Sequence, residues 1–181
     1  MRLLPACDRI AQPWKNGGGV TREVAVMPEG AGLDTFDWRV SIADVAAAGP
    51  FSRFEGIDRT LAVLQGRMRL TFPERVLELD SASAPLAFPG EAPCEGEPLG
   101  GVVTDLNLMT RRGKIRGRME HVSGAVAATG ATLVVACAAT VLRIGGGAQS
   151  LGRFDAVLLD GLAYGEGTFS LDTMAFVLRM D

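Results

Sequence analysis

The sequence predicts an all-β protein, built as a sandwich or a barrel of short strands. Apolar and polar residues alternate with a period of two in many short segments, whereas no window shows a sustained helical stripe of period 3.6. The 23 glycines and 9 prolines supply frequent turns. With 181 residues, 48% of them hydrophobic, the chain is long enough for one domain or two small lobes around a proper core.

The individual strands follow from this alternation and from the Gly, Pro, Asp or Asn residues that bound each segment. In chain order, strands are predicted at residues 21–27, 37–42, 61–64, 67–72, 102–109, 114–121, 133–137, 156–159 and 174–178. Residues 42–48 could form one short helical turn at most. A weak echo between residues 61–90 and 133–161 is compatible with a duplicated β unit, joined near residues 111–114.

Charge and composition exclude several classes of protein. A net charge of −3 and a pI near 5.3 give no electrostatic footprint for nucleic acid. The single histidine, His121, excludes most zinc, non-haem iron and Ser-His-Asp sites. The three cysteines are far apart and form no CxxC pair, so we expect neither a disulfide framework nor a zinc knuckle. This cysteine usage predicts a reducing cytoplasm.

One uncharged run, residues 125–142, approaches the length needed to span a bilayer. It is rich in Ala, Thr and Gly, and Thr129 and Gly130 form a turn signal at its centre. We therefore predict a strand, a turn and a second strand there, and no association with a membrane.

The most information-dense segment is Pro13–Glu23. Its three glycines, Gly17–Gly19, allow tight turns and a close approach of backbone N–H groups to a ligand. Lys15 precedes the glycines and a strand follows them, which is not the order of a phosphate-binding P-loop. The segment is either part of a ligand site or a flexible hairpin loop with an incidental charge.

Two predicted strands carry polar side chains on one face and large apolar residues on the other. Arg39 and Ser41 share a face of the first strand, and Asp105, Asn107 and Met109 share a face of the second. The polar face could be a solvated outer surface, or it could line the ligand-binding interior of a barrel. The alternation of residues between the two faces of a strand does not distinguish these interpretations.

Arg59 comes just before the apolar run at residues 61–64. Its guanidinium could form a fork to a substrate carboxylate, with each charged hydrogen bond contributing roughly 1.5–3 kcal/mol. It could equally pair with Asp58 or Glu55 at the surface, where such pairs contribute about 0–1 kcal/mol.

His121 lies on the apolar face of its predicted strand. A histidine in the core or at its rim is favoured over a general base, because no nucleophile or second ligand accompanies it. An acid–base pair with Tyr164 is conceivable, but nothing in the sequence brings the two residues together.

Ten short blocks of sequence run in order over residues 13–113, and a weaker pattern continues to the end of the chain. They are Trp14–Gly19, Thr21–Glu23, Trp38–Ala43, Gly49–Ser52, Phe54–Gly56, Asp58–Arg59, Leu64–Gly66, Phe88–Glu91, Asp105–Met109 and Arg111–Gly113. This pattern resembles the HutD/Ves family of cupin-like proteins.

The resemblance implies an RmlC-like cupin fold in which two small β-barrel lobes pack together as a bicupin. Residues 1–113 would form an N-terminal lobe that carries the family motifs, and residues 114–181 a smaller C-terminal lobe. The resemblance also implies a link to bacterial histidine utilisation, where such proteins are thought to bind an intermediate such as N-formylglutamate.

Typical cupins hold a metal through His-x-His and Pro-Gly-x-x-x-His motifs. The matching residues 50–54 and 89–93 contain no histidine, so we expect no metal and no cofactor.

The resemblance implies a cupin that binds a small carboxylate metabolite and has a regulatory or accessory role in histidine catabolism, and the scarcity of histidine predicts that it is metal-free. A homodimer is compatible with this expectation. The alternatives are a metal-independent isomerase or hydrolase with His121 or Glu23 as its base, and a purely structural β protein. A binding barrel would need cations, amide or hydroxyl groups and an apolar wall. The candidate ligand contacts are Trp14, Lys15, Asn16, Arg22, Arg39, Ser41, Phe51, Arg59, Asn107 and Met109.

Overall fold

The computed structural model describes residues 1–160 and 167–181, and these fold almost wholly into β-strands. The described residues form seventeen strands and one short 3-10 turn, Ala6–Asp8, and none of them lies in an α-helix. The predicted all-β class is confirmed. Tyr164, which the sequence suggested as a partner of His121, lies outside the described residues.

Most of the strands are short and they are distributed along the whole described chain, as expected for a sequence rich in turn residues. In chain order they are β1 (Arg2–Leu4), β2 (Ala11–Pro13), β3 (Gly19–Met27), β4 (Trp38–Val45), β5 (Gly49–Pro50), β6 (Ile57–Gln65), β7 (Arg67–Phe72), β8 (Arg75–Asp80), β9 (Leu86–Pro89), β10 (Glu95–Pro98), β11 (Val103–Arg111), β12 (Gly117–Ala127), β13 (Ala131–Ala136), β14 (Thr140–Ile144), β15 (Gly147–Leu151), β16 (Ala156–Leu159) and β17 (Thr168–Met180).

The chain divides into two compact units. The larger unit comprises Ile10–Ile115, and the smaller unit comprises Met1–Arg9 together with Arg116–Asp181. The sequence-based division after residue 113 lies close to this change of unit, but it grouped residues 1–9 with the first lobe. In the structure these residues belong to the smaller unit because β1 pairs with β16, with Arg2 opposite Leu158. A three-residue strand carries no sequence signal that identifies so distant a partner.

The larger unit contains two antiparallel sheets. One has six strands in the order β2-β3-β4-β11-β6-β9, and the other has four in the order β5-β10-β7-β8. Val45, Val63 and Val103 on the inner face of the six-stranded sheet pack against Met68 and Leu70 of the four-stranded sheet. All five side chains are at most 2% exposed, so the space between the sheets is the core of this unit.

The smaller unit is a seven-stranded antiparallel sheet with the order β1-β16-β13-β17-β14-β15, and β12 also pairs with β17. The thirteen-residue β17 changes partner along its length: Ala175–Met180 pairs with β13, and Phe169–Leu171 pairs with β14. Its core contains a cluster of buried apolar side chains. The members are Ala128, Val134, Ala136, Leu142, Leu151, Val157, Leu159, Phe169, Leu171, Ala175 and Val177.

All nine strands predicted from the alternation are found, each within or overlapping an observed strand. The helical turn allowed at residues 42–48 is wrong, because β4 continues as a strand to Val45. The eight remaining strands were not predicted, since they are two to six residues long and most of their side chains are exposed or half-buried. Strands of that kind leave little alternation in the sequence.

The uncharged run at residues 125–142 is strand, turn and strand, as predicted. It contains the end of β12, a turn at Gly130 with a φ of 56°, all of β13 and the start of β14. Within residues 1–160 and 167–181, no helix has the length and apolar character needed to cross a membrane.

Candidate ligand-binding site

The polar face of β11 points into the core of the larger unit and not to solvent. Asp105, Asn107 and Met109 alternate along the same face as Val103, which packs between the two sheets. These three side chains are at most 6% exposed. The structure therefore selects the barrel interior over the solvated surface.

Strand register brings further polar residues beside this row. Ser41 on β4 lies opposite Asn107, while Arg39 on β4 and Arg59 on β6 flank Met109 from its two sides. The Cα atoms of the two arginines are therefore about 10 Å apart, since each neighbouring strand adds just under 5 Å. Arg39, Ser41 and Arg59 are each at most 8% exposed. Two cations thus lie inside this unit with hydroxyl and amide groups beside them.

A chain of hydrogen bonds joins three of these buried groups. Nη2 of Arg59 donates to Oδ1 of Asn107 at 2.8 Å, and Nδ2 of Asn107 donates to Oδ1 of Asp105 at 2.7 Å. Asn107 thereby links a buried cation on β6 to a buried carboxyl group on its own strand. Both functions of the amide are used, which fixes its orientation.

Three aromatic rings surround the Arg59 guanidinium. Its Cζ atom lies 5.2 Å from the ring centroid of Phe51, 5.3 Å from that of Phe88 and 5.9 Å from that of Phe54. At these distances each ring face attracts the cation, and the attraction strengthens where water is excluded. The rings also form an apolar wall around the charge.

Two glycines allow two of these rings to lie where they do. A Cβ atom on Gly96 would come within 2.5 Å of Cε1 of Phe51. A Cβ atom on Gly90 would lie 2.8 Å from the carbonyl oxygens of Phe54 and Ile57, and the backbone N–H of Phe54 donates to the Gly90 carbonyl at 2.9 Å. The absence of a side chain at Gly90 and Gly96 therefore allows Phe54 and Phe51 to lie close to the cation.

The Arg59 side chain is incompletely satisfied. Besides its bond to Asn107, Nη1 donates to the Ser52 carbonyl at 3.3 Å, which is a long contact. The Nε–H group is buried and has no hydrogen-bond partner among the described residues. Because buried polar groups in native proteins are nearly always paired, this donor is suited to a ligand that carries an acceptor oxygen.

Burial also alters the acid–base properties of the cluster. It raises the pKa of Asp105 to about 7, although the Arg59 charge and the hydrogen bond from Asn107 act in the opposite direction. It lowers the pKa of Arg59, which nevertheless stays protonated as arginine side chains do in proteins. Burial likewise raises the pKa of the nearby Cys94 thiol to about 11. Of these three groups, Asp105 changes charge near neutral pH.

The second cation of the interior is already paired. Nε of Arg39 donates to Oε2 of Glu23 on β3 at 2.8 Å. The Glu23 side chain is 37% exposed, so the cluster meets solvent on the β3 side. Ser41 is 5% exposed as a residue, and its hydroxyl makes no hydrogen bond within the described part of the chain. It is thus a second unused polar group beside Asn107.

The structure brings five of the ten predicted residues into one cluster: Arg39, Ser41, Phe51, Arg59 and Asn107. Two more border it. Met109 belongs to an apolar cluster with Val26, Phe36 and Ile57. Trp14 packs on the main core of the unit, and its Nε1 donates to Oγ1 of Thr21 at 2.7 Å.

The other three predicted residues lie elsewhere in the larger unit. Lys15 and Asn16 are exposed on the β2–β3 loop, where Oδ1 of Asn16 accepts from the backbone N–H of Gly18. Arg22 points to the opposite face of the sheet, because it is in register with Ile42, and it forms an ion pair of 2.6 Å with Asp44. The Gly-rich loop thus shapes the start of β3 and leaves these two polar side chains outside the cluster.

Sequence reasoning did not select four residues that complete the cluster: Phe54, Phe88, Cys94 and Asp105. It named Glu23 only as a possible base of an enzyme, and not as part of a binding site. Asp105 was recognised on the same face as Asn107, but a carboxyl group was not expected where an anion would bind. The two additional rings lie in matched sequence blocks, which was the signal available for them.

His121 belongs to the smaller unit. Its ring stacks on Phe176 with centroids 3.9 Å apart, and its Nε2 lies 3.7 Å from Sγ of Cys137. Partial burial lowers the pKa of His121. Among the described residues, no group of three His, Cys, Asp or Glu side chains is close enough to hold a metal ion.

The fold and its buried polar interior define a cupin-like β protein. The structure resembles a Cupin 2 conserved barrel domain protein from Leptotrichia buccalis with a TM-score of 0.58 over 95% of this chain and 92% of that chain. Their sequences are 10% identical, so this likeness concerns the fold alone.

The chain belongs to the HutD family, whose model matches residues 6–178. It is 37% identical over 171 residues to an uncharacterised 21.2 kDa protein in the hutC 3′ region of Pseudomonas putida, a match that covers 89% of this chain and 87% of the relative. It is also similar to the structure of HutD from Pseudomonas fluorescens SBW25, with 31% identity and a TM-score of 0.86 over 99% and 97% of the two chains. The predicted family and the predicted cupin-like fold are confirmed.

Proposed function

We propose that this protein binds a small carboxylate metabolite inside its larger unit and has an accessory or regulatory role in histidine catabolism. The observation that carries the proposal is Arg59, a cation buried among three aromatic rings whose Nε–H has no partner among the described residues. A carboxylate supplies the acceptor oxygen and the negative charge that this group needs.

N-Formylglutamate is the ligand we expect. One carboxylate would bind Arg59, and the formamide oxygen would accept hydrogen bonds from the Ser41 hydroxyl and from the second N–H of the Asn107 amide. The partly exposed ring of Phe51 would cover part of the methylene stem. The hutC-region location of the Pseudomonas putida relative supports the pathway. We expect the protein to act in the cytoplasm, where its three unpaired cysteines would stay reduced.

A thermal-shift screen of chelator-treated protein tests this function. The panel contains histidine, urocanate, formiminoglutamate, N-formylglutamate, glutamate and divalent metals. A ligand present at 100 times its Kd stabilises the folded state by about 2.7 kcal/mol, which gives a clear rise in Tm. A rise with N-formylglutamate supports the proposal, whereas a rise with metals and with no metabolite contradicts it.

Calorimetric titration of two arginine variants then identifies the site. Arg59→Gln is expected to weaken binding by about 1.5–3 kcal/mol, or roughly 10- to 150-fold in Kd, because a charged hydrogen bond is lost. Arg69→Gln is the matched control, since Arg69 is an exposed arginine paired with Glu78 and Glu97, and it should bind as the wild type does. An unchanged Kd in Arg59→Gln would remove Arg59 from the site.

The same samples separate binding from catalysis. Glu23 lies in the cluster and is half-exposed, so it is the group that could serve as a base in an enzyme. NMR spectra of N-formylglutamate incubated with the protein should remain unchanged if the protein only binds it. Product formation that is lost in Glu23→Gln would establish the enzymatic alternative.

A further inference from the structure

We infer that carboxylate binding at Arg59 is coupled to the uptake of one proton by Asp105, which is the exchangeable counter-charge of the buried arginine. This inference rests on the proposed function and specifies how the site accepts an anion. Asp105 then determines the pH range over which the protein binds its ligand.

The geometry makes Asp105 the resident partner of Arg59. The two side chains are joined through Asn107 by hydrogen bonds of 2.8 and 2.7 Å. Asp105 is 1% exposed and Arg59 is 7% exposed, so solvent screens their interaction weakly. Without a ligand, an ionised Asp105 balances the charge of Arg59 through the intervening amide.

The charges inside the unit are already balanced when Asp105 is ionised, so a further anion is electrostatically unfavourable. Arg39 is already neutralised by Glu23, and Arg59 is neutralised by Asp105 when that carboxyl is ionised. A ligand carboxylate at Arg59 would add an uncompensated negative charge to a buried site, which is strongly unfavourable. A proton taken from solvent by the Asp105 carboxylate restores neutrality and leaves the guanidinium to the ligand.

The surroundings of Asp105 favour this exchange. Asp44 on β4 adds a negative charge that further favours the protonated form, and Cys94, whose thiol remains protonated at neutral pH, lies on the segment between β9 and β10. The facing strand β7 contributes the apolar side chains of Met68 and Leu70 to the same core. With its pKa near 7, Asp105 can gain a proton under conditions where a ligand carboxylate stays ionised.

The direction of the pH dependence follows. Below about pH 7 Asp105 is already protonated in the free protein, so ligand binds without proton uptake and the affinity is constant. Above this pH each bound carboxylate draws one proton from solvent. The Kd should therefore rise by up to about tenfold for each further pH unit.

Isothermal titration of formate and N-formylglutamate between pH 6 and 9 tests the inference. At pH 8.5, titrations in phosphate and in Tris, whose ionisation enthalpies differ, should report an uptake approaching one proton per ligand. Asp105→Asn should abolish both the uptake and the slope of Kd with pH. Asp172→Asn is the matched control: its carboxyl is exposed in the smaller unit and paired with Arg143, and this variant should keep the slope.

The outcomes separate this inference from the function on which it rests. Binding that requires Arg59 but has a constant Kd from pH 6 to 9 would overturn the inference and leave the proposed function standing. A dependence of Kd on pH that persists in Asp105→Asn would likewise overturn the inference and leave the proposed function standing. Failure of both probes to bind at pH 6, where Asp105 is protonated, would overturn both proposals. If Asp105→Asn does not fold, the proton uptake of the wild type at pH 8.5 tests the inference by itself. An uptake near one proton per ligand supports the inference, and an uptake near zero overturns it.

Discussion

The two units of the chain use the same kind of antiparallel sheet but fill their cores with different chemistry. In the smaller unit the described buried residues are apolar apart from two threonines, with Val134, Leu142 and Phe169 among the apolar ones. The buried polar residues described there are Thr132 and Thr140, and each has its hydroxyl in a hydrogen bond with a backbone group. This is the ordinary solution for a β core.

The larger unit instead buries two arginines, an aspartate, an asparagine and a serine on one sheet face. Buried ion pairs are weak evidence for stability, because well-packed apolar residues in their place are often neutral or stabilising. The smaller unit demonstrates that this chain can build a β core from apolar residues. The difference supports the proposal that the polar cluster serves ligand binding, because an apolar core would satisfy the fold.

The largest expected effect comes from placing a charge in the core that has no partners for it. Val134→Asp buries a carboxyl in the smaller unit among apolar side chains, and should destabilise the protein by about 5 kcal/mol or more. Val134→Ala, which removes only apolar contacts, should lose about 1.5–3 kcal/mol. Urea unfolding measures both variants. A smaller loss in Val134→Asp than in Val134→Ala would mean that the two cores tolerate charge equally.

The next effect is a pH dependence of stability that comes from Asp105. Because its folded-state pKa of about 7 exceeds its unfolded value, its contribution to stability is full below about pH 4 and is lost as the pH rises through 7. The stability of Asp105→Asn relative to the wild type should therefore increase by up to about 4 kcal/mol from pH 4 to 8. Urea unfolding across this range measures the difference, and a constant difference would show that Asp105 is not perturbed.

The smallest expected effect concerns the aromatic wall. Gly96→Ala should push the Phe51 ring away from Arg59 and weaken carboxylate binding by about 0.5–1 kcal/mol, a factor of a few in Kd. Gly49→Ala is the matched control, since Gly49 pairs with Gly96 across β5 and β10 but its added Cβ would make only an ordinary contact of 3.9 Å. Titration calorimetry compares them. Equal affinities of Gly96→Ala and Gly49→Ala would show that the contact between Phe51 and Arg59 does not contribute to carboxylate binding.

Much of this architecture could be read from local pattern. Alternation identified nine strands, and strand parity correctly put Asn107 with Asp105 and Arg39 with Ser41. Which face turns inward could not be predicted, because the strands of both rows are buried on the opposite face as well, at Val40 and Leu106 for example. Only the facing sheet distinguishes the two sides.

Other parts of the site depend on irregularities that alternation does not encode. The register of β3 against β4 shifts between Glu23 and Ala25, so Val26 comes opposite Arg39 although simple alternation would put it on the other face from Glu23. Phe54 lies outside the regular strands and is positioned by Gly90, whose role requires tertiary contacts. The role of Asp105 likewise depends on burial, which a local pattern does not quantify.

We propose that the buried polar cluster serves ligand binding and not the fold. The most direct test of this proposal replaces the cluster with apolar residues in the triple variant Arg59→Met, Asp105→Val and Asn107→Val, and measures urea unfolding together with N-formylglutamate binding at pH 7. We expect a folded protein that is as stable as the wild type or up to about 4 kcal/mol more stable, with binding abolished. A loss of several kcal/mol, or binding at wild-type affinity, would contradict this account.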